Sequence, residues 1–231
     1  MTTIVPLDSQ KHQSLSLISN AGYAHIQQSH LLPLTVHEFA MAATNFPIVF
    51  VKDAQTGQFK ACALVGLKPE QNLFSKNSQW LGSYIPEFAK LHPFVAVKTE
   101  ANSDKYVICI DESSESLSQK GEGDKLFNDS VASEVLTQRG NAAVAWAQKS
   151  DLTDAFIRHL LEVEIIQSQS LSISKEDQSY NLTGCYVVNE AALNNLDPQV
   201  FMSLKDKGYL APIYAALLSL NQVGNLLKLA D

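Results

Sequence analysis

The chain alternates short apolar runs with polar turns, and the spacing inside each run separates helices from strands. Thr35–Asn45 predicts a helix, because Val36, Phe39, Ala40 and Ala43 recur at helical spacing. Thr35 with Glu38 three residues on is a capping box, which satisfies free backbone N–H groups of the first turn. Pro47 ends that pattern; Ile48–Val51 is then apolar and β-branched, Asp53–Gly57 carries turn chemistry, and Phe59–Leu67 is a second apolar run. Two such runs around a glycine-containing turn predict a hairpin. Both are almost continuously apolar, which predicts a hairpin covered on both faces.

The same order follows downstream. Tyr84–Leu91 reads as a short helix with Pro86 in its first turn, where the missing N–H costs nothing. Pro93 ends it, and Phe94–Val97 and Tyr106–Asp111 make a hairpin about a turn at Ala101–Asp104. Helix, proline and hairpin thus occur twice, either as a weak internal repeat or as a common local order. Residues 1–34 are polar and irregular. Glu112–Asp129 is polar and holds Gly121 and Gly123, the composition of a mobile surface loop or a domain seam, with Phe127 as its anchor.

Helical periodicity begins at Ser130 and continues to Glu164, with Gly140 placed to kink or end it and Asp151 placed to cap its later part. Leu152, Phe156, Leu160 and Val163 share one stripe. Ile165–Ser174 has mixed polarity on both faces, as an edge strand does; Lys175–Ser179 turns the chain and Leu182–Val188 returns. Asn189–Leu193 is a short helix, Asp197–Pro198 starts another that stops at Gly208, and Leu210–Leu229 is a last amphipathic helix, bent near Gly224. The connections within each strand pair are too short for parallel crossovers. The expected class is therefore α+β: mostly antiparallel β-hairpins interleaved with short helices, and a helical C-terminus. We take residues 1–231 as a single domain, with a possible seam at 112–129.

Composition agrees with a folded globule: of 231 residues, 45% are apolar and 18% charged, the reverse of a disordered chain. The net charge of −7 repels phosphate backbones, and the 17 basic residues are scattered, so no nucleic-acid partner is expected. The N-terminus has no basic region followed by an apolar one. No run approaches the roughly 18 apolar residues of a membrane span; the longest candidate, Leu210–Leu220, is interrupted by Pro212 and Ser219. The expected location is cytoplasmic, with no membrane span.

Candidate chemistry is sparse. Cys62, Cys109 and Cys185 each lie in an apolar run without CxxC spacing, which suits buried thiols rather than a disulfide or zinc site. Motifs for dinucleotide, P-loop, zincin and hydrolase chemistry are missing. The histidines His12, His25, His30, His37, His92 and His159 lack ligand spacing and read as surface or cap residues. No cofactor and no metal is expected. Asp111 and Glu112 close the most apolar strand; such a pair serves as acid and base or holds a cation, or simply caps the strand and starts the acidic loop. Asn72, Phe74, Trp80 and Tyr84 form an aromatic-polar stretch of the kind that lines pockets, or that packs a loop on a core. The candidate binding set is Asn72, Trp80, Tyr84, Asp111 and Glu112, and no catalytic residue is assigned.

An ordered series of short segments resembles the SapC family. It comprises Phe46–Phe50, Ala63–Gly66, Asn72–Phe74, Trp80, Tyr84–Pro86, Pro93–Val95, Cys109–Glu112, Gly123–Phe127, Leu182–Glu190, Gly208 and Ile213–Leu220. The resemblance runs from about residue 20 onward, nearly the whole chain. It implies an association with bacterial surface layers, and with flavin-dependent halogenase-like proteins and TonB-dependent receptors as companions. It supplies no catalytic residues. A peptide-transport permease shares the family's name, but a permease needs several membrane spans. The leading expectation is a non-enzymatic cytoplasmic binding or accessory protein for an amino acid, a peptide or a partner enzyme. The alternatives are a surface-layer-associated structural protein and an enzyme using the Asp111 and Glu112 carboxylates.

Overall fold

The computed structural model describes residues 3–19, 22–100, 103–175 and 178–230. Its main sheet has five antiparallel strands in the spatial order Ile166–Lys175, Gln178–Val188, Ile48–Lys52, Phe59–Leu64 and Leu31–Pro33. The first predicted hairpin sits at its centre, with Ile48 opposite Ala63 and Lys52 opposite Phe59. Its apolar run is explained by burial: Ile48, Val49, Phe50 and Ala61–Leu64 are all inside. Ile166–Lys175 is an edge strand, as its mixed polarity predicts. The return strand begins at Gln178, earlier than the expected Leu182. The turns expected at 101–104 and 175–179, and the side-chain alternation expected over 171–174, fall wholly or partly outside the described residues.

The second predicted hairpin, Phe94–Lys98 with Tyr106–Asp111, forms a separate three-stranded sheet. Its third strand is Ile4–Pro6, paired with Cys109–Asp111. The N-terminal segment is therefore not irregular throughout: it supplies an outer strand to each sheet, Ile4–Pro6 and Leu31–Pro33. Both runs are too short for periodicity to register. Ser16–Leu17 is a further strand, flanked by Leu117–Ser118 and Asp124–Lys125. These pairings tie down the predicted loop 112–129, and Phe127 is buried as its anchor. Gly123 is needed there: φ is +87°, and a Cβ would lie 2.1 Å from the Leu17 carbonyl oxygen.

One helix joins the two sheets. Glu134–Glu162 is continuous over 29 residues, and the Ser133 side chain caps it by accepting the Leu136 N–H at 3.2 Å. Gly140 neither ends nor interrupts it. That glycine is buried against Ile108 of the smaller sheet, so the position reflects packing. Asp151 is not a cap: mid-helix and exposed, it pairs with Lys98 at 2.8 Å. Leu136 and Ala143 pack with Phe94, Ile110 and Leu126 in one apolar cluster. Phe156, Ile157 and Leu160 pack with Phe39, Phe50 and the main sheet in a larger one. Leu152 points to solvent, 57% exposed, and leaves the predicted stripe.

The remaining helices are short. The stretch expected to be one helix from Thr35 is a 3-10 turn, Val36–Glu38, followed by Phe39–Ala42. Glu87–Leu91 starts later than the expected Tyr84, so Pro86 takes the N-cap position, without a side-chain hydrogen bond, rather than a place in the first turn. Asp197 caps Pro198–Asp206 by accepting the Gln199 N–H at 2.8 Å. Leu210–Leu229 is helical throughout, with a 3-10 turn at Leu220–Gln222 between two α-helical parts. At 20 residues and a mean hydropathy of 1.2, it is long and apolar enough to cross a membrane, contrary to expectation. Ile213, Ala216 and Leu226 put one face of it in the core. The class is α+β.

Candidate functional site

The ladder between the smaller sheet's hairpin strands brings two chain segments to one point. The Asp111 N–H donates to the Pro93 carbonyl at 2.9 Å, so the end of one strand lies beside His92–Pro93 at the start of its neighbour. The chain then turns tightly after Asp111: the Ser114 N–H returns to the Asp111 carbonyl at 3.1 Å, and the Leu117 N–H to the Ser114 carbonyl at 3.1 Å. The 3-10 turn Ala24–Ile26 closes the other side and lays the His25 ring on His92, with centroids 4.1 Å apart and planes 8° from parallel. Between these elements lies a cleft of about 550 Å³, lined by His25, Phe88, His92, Asp111, Ser113 and Ser114 among others.

The polar groups of the cleft are ordered. Asp111 Oδ1 accepts from the Thr3 N–H at 3.0 Å, the Ser113 N–H at 3.1 Å and the Ser113 hydroxyl at 2.6 Å. Oδ2 has no hydrogen-bond partner among the described residues. Burial pushes the Asp111 carboxyl up, but the Ser113 hydroxyl, the two N–H groups and nearby His92 outweigh it, and the net shift is downward. His25 Nε2 lies 3.0 Å from the Ala89 carbonyl, which can only accept, so Nε2 carries the proton. Burial, with His92 alongside, holds His25 down to about 4. His92 is shifted down by burial too, against the opposing pull of Asp111. Both rings are therefore neutral at pH 7. His92 Nε2 is 2.7 Å from the Ser114 hydroxyl, which in turn lies 2.6 Å from the Ser116 hydroxyl and accepts the Ser116 N–H at 3.1 Å.

A separate apolar annex of about 80 Å³ shares His25, Phe88, His92 and Val95 with the cleft and is walled also by Leu91, Phe94, Ala143 and Trp146. The Trp146 indole N–H is shielded from solvent and has no hydrogen-bond partner among the described residues. The cleft thus offers a carboxylate and hydroxyls, and the neighbouring pocket an aromatic slot. Among the described residues no group of three His, Cys, Asp or Glu is placed to hold a metal.

The residues singled out from sequence are dispersed. Asp111 lines the cleft. Glu112, next in the chain, instead pairs with Lys11 at 2.6 Å and His12 at 2.9 Å, and those two partners hold its carboxyl low. Trp80 and Tyr84 do not line the cleft. The Trp80 indole donates to the Tyr84 carbonyl at 2.7 Å and its ring packs on Phe46, Phe74 and Tyr23. The Tyr84 hydroxyl donates to buried Glu38 at 2.9 Å, and burial together with that carboxylate pushes its pKa up. Asn72 is buried, donating to the Ile26 carbonyl at 3.0 Å and accepting the Phe74 N–H at 3.0 Å. It also lines a second, more open cleft that shares Ala24 and His25 with the first. The three cysteines are free and buried; Cys62 is pushed up to about 12 by burial, the opposite of an activated thiol.

His25, His92, Ser113 and Ser114 were missed as a group. One signal was available. His92–Pro93 opens a strand whose hairpin partner ends at Asp111, so antiparallel pairing alone sets His92 beside the Asp111–Ser114 turn. Nothing local to His25 predicts its stacking, which depends on a contact 67 positions along the chain.

No curated protein and no solved structure matches this chain. A family model does: that of SapC aligns with residues 7–226, nearly the full length, and the chain belongs to the SapC family.

Proposed function

We propose that this chain is a small-ligand binding protein, and that its ligand carries an ammonium head and a compact apolar group, as an amino acid or the amino end of a peptide does. The observation that supports this most is Asp111: its Oδ1 is saturated while Oδ2 has no partner among the described residues, in a cleft whose described lining includes no Lys or Arg. A carboxylate held ionised in a partly closed space pairs well with a cation that brings its own hydrogens. The neutral imidazoles add no positive charge to oppose an ammonium group. The aromatic annex accepts the apolar part.

Calorimetry on the full chain, with amino acids and short peptides offered free and N-acetylated, tests this reading. Free amines should bind about tenfold or more tightly than their acetylated forms, the loss expected for one charge-assisted contact, and Asp111→Asn should erase the difference. Equal binding of both forms, or no binding of either, overturns it. A surface-layer role, an enzymatic use of Asp111 with Glu112, and a halogenase-like or receptor partner gain no specific support from the cleft. Cell fractionation with pull-down would test those.

A further inference from the structure

We propose that Ser114 is a nucleophile for acyl transfer, with His92 as its general base, acting on an activated acyl group such as an ester or thioester. The inference rests on the proposed cleft admitting a ligand, and it adds a reaction to that binding.

The geometry is that of an activated hydroxyl. Ser114 Oγ and His92 Nε2 are 2.7 Å apart, inside the range for proton transfer. Ser114 Oγ has one proton to give and room to accept two. The Ser116 N–H fills one acceptor position at 3.1 Å, and the Ser116 hydroxyl fills the other when it donates across 2.6 Å. The Ser114 proton is then directed at His92, and Ser116 holds the oxygen in place as a positioning residue. Asp111 lies close enough to favour a positive charge on His92, although no hydrogen bond joins them. It stabilises the imidazolium formed during attack through its field alone. The Glu115 N–H, immediately after the nucleophile, donates to no described residue. That is the position from which hydrolases commonly supply one donor to the developing oxyanion. A single donor suits an acyl group already activated by its leaving group.

The step balances without a further reagent. Ser114 Oγ attacks the acyl carbon and its proton passes to His92 Nε2. The bond to the leaving oxygen or sulfur breaks, and His92 returns the proton to that atom. Water, or an amine or alcohol acceptor, then attacks the Ser114 ester with His92 again taking the proton, and Ser114 departs with it restored.

The experiment uses the purified full chain with p-nitrophenyl acetate, read by nitrophenol release and by mass spectrometry of the acylated peptide. One acetyl group on the peptide carrying Ser114 is expected. Ser114→Ala should abolish it, and His92→Gln should slow its formation by about 100-fold or more, the usual worth of a positioned base. The wild-type rate should rise with pH as His92 loses its proton, and this dependence should vanish in His92→Gln. Ser114→Cys keeps a nucleophile in place and should be acylated at position 114; it decides the matter if the alanine variant does not fold. Acetylation that is absent from the wild type, that falls on other residues, or that persists in Ser114→Ala overturns the proposal. Amine binding with no acylation would leave the binding reading standing alone, and acylation without amine selectivity would do the reverse.

Discussion

The Glu38 carboxylate accepts the Tyr84 hydroxyl at 2.9 Å, and this contact locks two polar segments together inside the core. The same Oε1 accepts the Glu87 N–H at 2.7 Å, at the start of the helix that carries His92 at its end. Oε2 accepts the Thr35 N–H and hydroxyl, both at 2.9 Å. Glu38 is 3% exposed, so every one of these donors loses water when it binds the carboxylate. Tyr84→Phe should cost about 1.5–3 kcal/mol, one hydrogen bond to a charged group. Glu38→Ala should cost about 3–5 kcal/mol, because it strands several donors in a sealed space. Urea unfolding of both variants checks the order; equal losses would show that Tyr84 accounts for the whole network.

This network marks where sequence reading succeeds and stops. The Thr35–Glu38 capping box is local and was legible from spacing alone. The other half of the Glu38 carboxylate is committed to residues more than 40 positions away, and no local pattern encodes that. The cleft divides the same way. Asp111 stands out as a charge ending an apolar strand. His25 and Ser114 stand out in nothing, since a histidine in a polar segment and a serine in a polar loop are common. Hairpins and caps are written in neighbouring residues, whereas the site is written in which strand ends meet.

Acid should destabilise the protein through the paired imidazoles. His25 is held at about 4 in the folded state, against an ordinary value of 6.5. Between those values the unfolded chain binds a proton that the folded chain refuses, so stability falls as pH falls. His92 is shifted the same way and adds to the same slope. Denaturant midpoints should therefore drop as pH falls from about 6.5 to about 4, the window set by the unfolded and folded values of His25. His25→Gln retains a donor for the Ala89 carbonyl and removes the titration, so its slope should be shallower. Coincident slopes for the two proteins would reject the imidazole pair as the cause.

Two glycines predict opposite outcomes. Gly140 lies inside the long helix, and an added Cβ would meet Ile108 Cγ1 at 3.5 Å, an ordinary van der Waals distance. Gly140→Ala should stabilise the protein by about 0.5–1 kcal/mol through reduced chain entropy in the unfolded state. Gly123→Ala meets both a positive φ and the Leu17 carbonyl oxygen, and should cost about 2 kcal/mol or more. Thermal melts of the two variants should move in opposite directions. A destabilising Gly140→Ala would mean that the helix and the smaller sheet cannot part by even the width of a methyl group.

Ser219 explains how a helix apolar enough to enter a membrane is bound to this core. It is fully buried, its hydroxyl donates to the Ala216 carbonyl at 2.6 Å, and it accepts the Ile48 N–H at 2.8 Å. Ile48 begins the strand at the centre of the main sheet, and its N–H is directed to the helix. In the sequence, Ser219 reads only as an interruption of an apolar run; in the fold it is the polar contact between that run and the sheet. Ser219→Ala removes the acceptor and leaves a buried N–H unpaired, which should cost about 1–3 kcal/mol. Ser219→Thr retains the hydroxyl and should recover part of that loss, limited by the room for its extra methyl group. Hydrogen exchange at the Ile48 amide is the direct check. Its protection should fall in the alanine variant by more than the global loss of stability accounts for, and a fall that only matches the global change would place the weight of Ser219 elsewhere.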